Sequence, residues 1–309
     1  MNFFPTLAMI LGFLLGKSPA KKLNKINFIV SYMLLFMIGL KGGYSIILEK
    51  SNIILFIKLL FIGTLISIFQ TFILAPFLEK KIKINITDSI VLAAQYGSIS
   101  VVTFAAAIDY LNDISVSYNA FMTTIAAFLE IPAILAGVGL MSLNQETRPT
   151  IKQIFRKIVT CKSINLIFLG MFIGYIFQFL NIDIVNKIST IFSLTIYVFM
   201  FNTGIKIYEH KKILLSTSIK LIIFGIIEPL LAALLATSIG LILKLSSGTI
   251  LLFAILIASA SYIAVPAVMK STYKNIHDAV IFPVVFGITL PFNVIIVTPL
   301  IYKLLLYLN

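Results

Sequence analysis

The chain is poor in the residues that most enzymes and metal proteins depend on. Cys161 is its one cysteine, so no internal disulfide forms. Its two histidines, His210 and His277, both lie in connections between apolar runs, which excludes a buried His/Cys site for a transition metal. H-E-x-x-H, G-x-S-x-G and P-loop patterns are absent, and no segment is large enough for a soluble catalytic or signalling domain. Neither an enzyme nor an organic cofactor is expected.

Charge is scarce as well, at 11% of residues, and what fills its place is 60% hydrophobic with a mean hydropathy of +1.09. A helix needs roughly 20 mostly apolar residues to cross the hydrocarbon core. Only helices and closed barrels satisfy every backbone polar group there. The runs lack the alternation of barrel strands, so the expected fold class is an all-α integral membrane protein. Ten spans are expected: Phe3 to Gly16, Ile26 to Leu40, Ile53 to Leu78, Ile86 to Ile108, Val116 to Leu140, Ile164 to Leu180, Ile188 to Ile205, Ile213 to Leu243, Thr249 to Met269 and Val280 to Leu308. The first has no basic n-region or A-x-A site and reads as a retained span rather than a signal peptide.

The net charge of +13 is distributed by topology. Eighteen of the 24 basic residues fall in the odd connections, among them Lys21, Lys80, Arg156, Lys206 and Lys270, while Lys41, Lys50, Lys58, Lys187, Lys244 and Lys303 make up the other side. The positive-inside rule then puts both termini outside and the odd connections in the cytoplasm. Nucleic acid is not an expected partner.

Five spans per half would place the second half in the membrane upside down, and landmarks recur on that plan. "LGFLLGK" at Leu11 pairs with "LGMFIGY" at Leu169, Gly39 with Gly204, and Gly63 with Gly225. "YGSISVV" pairs with "SASYIAV", and Pro132 with Pro291. Residues 1–142 are read as the first five-span repeat, 143–163 as a cytoplasmic connection and 164–309 as the inverted second repeat. Secondary transporters of this plan bind substrate near mid-membrane, where the repeats meet.

The fourth and ninth spans put polar residues there. Pro266 lacks an N–H and crowds the carbonyl of Tyr262, which predicts a break over 259–265. Half-helix N-termini at two facing breaks suit a small anion, and freed carbonyls with Ser and Thr hydroxyls suit a hard cation such as sodium. No Lys or Arg stands at the centre of spans 4, 5, 9 or 10, so a bound anion needs a co-bound cation. Two acids are read as deep in spans, Glu130 and Glu228. Glu130 is expected to ligate a cation or couple protons, and Glu228 to be either structural or coupling. Lys41, in "GLKGG", is expected at an outer helix end with its glycines as a hinge. The pairs Gly12/Gly16 and Gly170/Gly174 fit small-xxx-small helix packing or subunit contact.

"IGLKGG", "AAQYGSISVVTFAAA", "ASASYIAVPAVM" and "GITLPFN", in this order along the chain, resemble the SbtA-like sodium-dependent bicarbonate permeases. The resemblance implies ten spans in two inverted repeats and a homotrimer in the bacterial inner membrane. It further implies a scaffold of spans 1, 2, 6 and 7, and a mobile core of spans 3–5 and 8–10 in which interrupted spans 4 and 9 cross. Bicarbonate would sit on Gly97, Ser98, Ser100, Ser259, Ala260, Ser261, Tyr262 and Ile263, and sodium on Ser98, Thr103, Glu130, Ser261, Thr289 and Asn293. Lys41, Glu228 and Pro266 would be hinge or coupling positions. The chain departs from cyanobacterial members in having Gln95 where a His is common, and in a short basic connection, Ser142 to Ser163, that speaks against the PII-like cytoplasmic regulator many of them bind. An alternative expectation is cation-coupled transport of organic anions by a protein resembling auxin carriers or bile-acid transporters.

Overall fold

Apolar runs without alternation become helices. The computed structural model describes residues 4–16, 21–48, 52–144, 150, 152–153, 156, 159–183, 185–273, 276 and 281–308. Lys17, Lys50, Arg148, Lys157, Lys274 and His277 lie outside them, as do the first residues of the expected first and last spans.

All regular structure among the described residues is helical. The first half holds α1 (Phe4–Leu14), α2 (Lys21–Leu48), α3 (Ile53–Phe77, prolonged by a π turn at Leu78–Ile82), α4 (Ile86–Gly97), α5 (Val101–Asp113) and α6 (Met122–Asn144). The second holds α7 (Lys162–Phe179), α8 (Val185–Glu209), α9 (Lys211–Leu215), α10 (Ile219–Ile242), α11 (Ser247–Ala258), α12 (Ala264–Thr272) and α13 (Pro283–Leu308), the last with π turns at Pro283–Thr289 and Asn293–Val297. Among the described residues seven helical stretches are long and apolar enough to cross a membrane, and Phe4–Leu14, Ile29–Ser45 and Ser247–Ala258 are shorter apolar helices. The chain is a multi-pass membrane protein.

Two helix pairs flank the centre: α1 packs along α8, and α2 along α7. Glycine makes these contacts possible. A Cβ at Gly39 would lie 2.1 Å from the Ile167 carbonyl oxygen, and one at Gly170 2.2 Å from that of Phe36. Without hydrophobic drive between helices in lipid, such backbone proximity is what dispersion forces require. Gly12 and Gly174 are likewise spent on contacts inside the chain, against Phe201 and Leu40, rather than on a surface for another subunit.

The crossing helices occupy the middle. Ile86–Asp113 is fully buried over its most apolar stretch, whereas α3 is only 17% buried over its own. Every residue of α11 after Ser247 is buried too.

Two expectations need correction. Lys41 is not at a helix end, because α2 runs on to Leu48. Its side chain is 9% exposed, and its ammonium stands 4.0 Å over the ring of Phe192 in α8. Beside it, Thr124 and Ser45 both donate hydroxyls to the Gly42 carbonyl at 2.8 Å. Pro266 does not break a continuing helix either. It sits in the first turn of α12, where its missing N–H has no helical partner to lose. The break lies just ahead of it, over 259–263.

Candidate functional site

The two breaks meet at the centre of the protein. At the first, Ser98 turns extended after α4 (φ −99°, ψ 174°), and Ser100 caps α5. The Ser100 Oγ accepts the Thr103 N–H at 3.2 Å and the Thr103 hydroxyl at 2.9 Å. Serine at this position holds one of the donors that a helix start leaves unpaired. At the second break, Ser259 is extended after α11 (φ −89°, ψ 162°) and Ile263 precedes α12. The Ser261 Oγ accepts from the Val265 N–H at 3.4 Å, and the Ile263 carbonyl accepts from the Ala267 N–H, so α12 restarts with its own cap.

The breaks are stitched together by a reciprocal pair of bonds. The Ser261 N–H donates to the Gln95 carbonyl at 2.8 Å, and the Ser100 N–H donates to the Ser259 Oγ at 2.8 Å. The last turn of α4 thereby satisfies a backbone N–H of the second break, and the second break one of the first, as buried backbone demands.

The end of α11 is capped almost wholly by side chains. Three of its last carbonyls accept from Ser259 Oγ (Leu256, 3.0 Å), Gln70 Nε2 (Ile257, 3.4 Å) and Asn293 Nδ2 (Ala258, 2.8 Å). Gly97, at the end of α4, is tighter still: a Cβ there would stand 2.1 Å from Thr71 Oγ1 and 2.6 Å from the Ser67 carbonyl oxygen.

Around the crossing lie buried oxygens with no hydrogen-bond partner among the described residues. They are Gln95 Oε1, Glu130 Oε2, Asn293 Oδ1 and the Tyr262 hydroxyl. Glu130 is 2% exposed, and its carbonyl accepts from Ser98 Oγ at 3.4 Å. A carboxylate and two amide oxygens are hard acceptors, and left unpaired in a dry interior they are costly. Residues of these types suit an alkali cation.

Thr289 stands on the flank. Pro229 cannot donate to the carbonyl four residues back, that of Gly225, and Thr289 Oγ1 takes its place at 2.9 Å while also bonding the Tyr96 hydroxyl. Asn293 heads a π turn, and its carbonyl accepts both the backbone N–H and, at 2.8 Å, the hydroxyl of Thr298. Ala260 is buried in the second break. The Tyr262 ring lies between Phe199 (5.9 Å) and Phe286 (5.4 Å).

The structure thus joins Gly97, Ser98, Ser100, Thr103, Ser259, Ala260, Ser261, Tyr262 and Ile263 in one crossing, with Glu130, Asn293 and Thr289 beside it. Lys41 is apart from it, towards the far end of α5. Glu228 reaches it through Gln70, whose amide bonds both the Glu228 carboxylate and the Ile257 carbonyl. Among the described residues two further acids are buried besides Glu130 and Glu228. Asp88 lies in the first turn of α4, and Asp109, 3% exposed in α5, accepts from Ser193 of α8. Asp109 was missed because it falls one residue beyond the expected end of its span. Gln70 carried no signal, as one amide in a run of apolar residues.

Two cavities reach the crossing from the side of the basic connections. One, of about 290 Å³, is lined by Gln95, His210, Tyr262 and Lys270, and the other, of about 330 Å³, by Lys206, Tyr262 and Ser163. A small cavity of about 20 Å³ lies between Thr6, Ala106 and Asp113, near the C-terminal end of α5.

No curated protein matches the chain. A sequence profile of the Na+-dependent bicarbonate transporter superfamily matches residues 5–306, nearly the whole length, and on that match the chain belongs to this superfamily.

Proposed function

We propose that the protein carries bicarbonate, or a similarly small anion, into the cell together with sodium by alternating access. The observation that carries this reading is the set of unpaired buried oxygens of Glu130, Asn293 and Gln95 beside two stitched helix breaks. In it, sodium rests among Ser98, Thr103, Glu130, Ser261, Thr289 and Asn293. The anion rests on Gly97, Ser98, Ser100, Ser259, Ala260, Ser261, Tyr262 and Ile263, at the positive ends of α5 and α12.

Coupling follows from electrostatics. Without the cation, the site lacks the positive charge that holds the anion, and with it the anion gains a positive neighbour. Two unit charges about 4 Å apart at an effective dielectric of about 20 attract by about 4 kcal/mol. That is between about a hundredfold and a thousandfold in affinity, enough to make anion binding depend on sodium.

The plan of two inverted five-span repeats supports the movement, with residues 1–142 and 164–309 joined by 143–163. Its support is the paired breaks and the paired landmarks of the two halves. The helices of spans 1, 2, 6 and 7 form the scaffold, and those of spans 3–5 and 8–10 the mobile core. The basic connections face the cytoplasm and both termini face outward in a bacterial inner membrane. The conformation is then the inward-open one, with its outer side held shut by the Asp109–Ser193 contact between core and scaffold. A homotrimer is the proposed assembly, without a PII-like regulator.

Competition tests the substrate. In reconstituted vesicles, unlabelled bicarbonate should suppress labelled bicarbonate uptake, and equimolar mono- and dicarboxylates should not. Stronger competition by the organic acids would move the assignment to organic-anion carriers.

A further inference from the structure

A cavity of about 530 Å³ opens between α3 and α10, away from the crossing. Its walls include Phe69, Ile73, Leu231 and Leu235, each more than half exposed on the outer surface of a membrane protein, so its mouth faces hydrocarbon. Two polar side chains, Gln70 and Glu228, line it beside Ile257. Glu228 is 9% exposed, its Oε1 accepts from Gln70, and its Oε2 is buried with no partner. The volume and the largely apolar lining with few convergent polar groups are those of a small-molecule site.

We infer that this cavity is a lateral binding site for a single-chain aliphatic amine that partitions into the bilayer. The chain fills the apolar walls, and the ammonium donates to Glu228 Oε2 from the lipid side. Charge complementarity selects the head group. An ammonium satisfies the orphaned oxygen with a charge-assisted bond, an alcohol offers a weaker neutral one, and a carboxylate is repelled. The same repulsion separates this site from the anion site at the crossing. The ammonium and Gln70 then share one carboxylate, the ammonium on Oε2 and Gln70 on Oε1, and Gln70 also caps the Ile257 carbonyl at the end of α11.

The chain has no tryptophan, so Phe69→Trp supplies a single fluorescent reporter at the mouth. The reporter protein, in nanodiscs of zwitterionic phosphatidylcholine, is titrated with dodecylamine, dodecanol and dodecanoate, each brominated at its terminal carbon. The amine should quench at a mole fraction at least tenfold lower than the alcohol, with the acid weakest. Adding Glu228→Gln should bring the amine to the level of the alcohol. Leu231→Phe, which narrows the groove and leaves the carboxylate in place, should weaken amine quenching as well. Equal quenching by all three compounds, or an amine preference that survives Glu228→Gln, would overturn the site and leave a groove for ordinary acyl chains. Absence of quenching by any of them would overturn it too, in favour of a groove covered by a second copy of the chain. None of these readings depends on transport, so they stand or fall apart from the bicarbonate assignment.

Discussion

Ser259 accepts the backbone N–H of Ser100 at 2.8 Å, so one hydroxyl from the second half of the chain completes the helix break of the first. The same hydroxyl donates to the Leu256 carbonyl at 3.0 Å and thus links the end of α11 to the start of α5.

Ser259→Ala strands a buried donor and a buried acceptor at once. A group left unsatisfied in this way costs about 1–3 kcal/mol, and if the loss falls on the transport cycle, uptake drops by about tenfold to a hundredfold. Ser259→Thr keeps the hydroxyl and should retain most of the rate. Sodium-dependent bicarbonate uptake by the two variants, normalised to protein in the vesicles, is the check.

Glu130→Gln keeps the shape of the side chain and removes its charge. The sodium concentration for half-maximal uptake should rise at least tenfold while the protein still folds, as judged by a single symmetric peak in size-exclusion chromatography. An unchanged sodium dependence would remove Glu130 from the cation site.

How much of this was legible in the sequence depends on the kind of interaction. Hydropathy located the helices, because lipid selects length and composition directly. Pro266 and the serines located the breaks to within a few residues, although the proline opens α12 rather than interrupting a helix. What stayed hidden was long-range and side-chain specific. Gln70 caps a carbonyl 187 residues away, and nothing local marks it. Lys41 looked terminal because "KGG" suggests a helix end, yet tight packing and two hydroxyls on the Gly42 carbonyl carry α2 onward.

Gly97→Ala should destabilise the protein more than an alanine substitution at Gly139, where a Cβ meets nothing within 4 Å. At Gly97 the new methyl would overlap Thr71 Oγ1 and the Ser67 carbonyl, and overpacking of this kind costs typically about 1–3 kcal/mol. Thermal unfolding in detergent should show a lowered midpoint for Gly97→Ala, with Thr71→Ala restoring part of it and Gly139→Ala unchanged.

Thr289→Val is isosteric, but it orphans the Tyr96 hydroxyl and the Gly225 carbonyl that Pro229 leaves free. A loss of about 1–3 kcal/mol in unfolding free energy is expected, with Thr289→Ser close to the parent. Equal stability of the valine and serine variants would show that the bonded chain from Tyr96 to Gly225 contributes nothing.

The central claim is that anion movement depends on sodium at the crossing of the two breaks. Its most direct test is the initial rate of labelled bicarbonate uptake into proteoliposomes under an inward sodium gradient, compared with an equal gradient of choline. The account predicts uptake with sodium that falls to the protein-free background with choline. Uptake of equal rate in choline would contradict it.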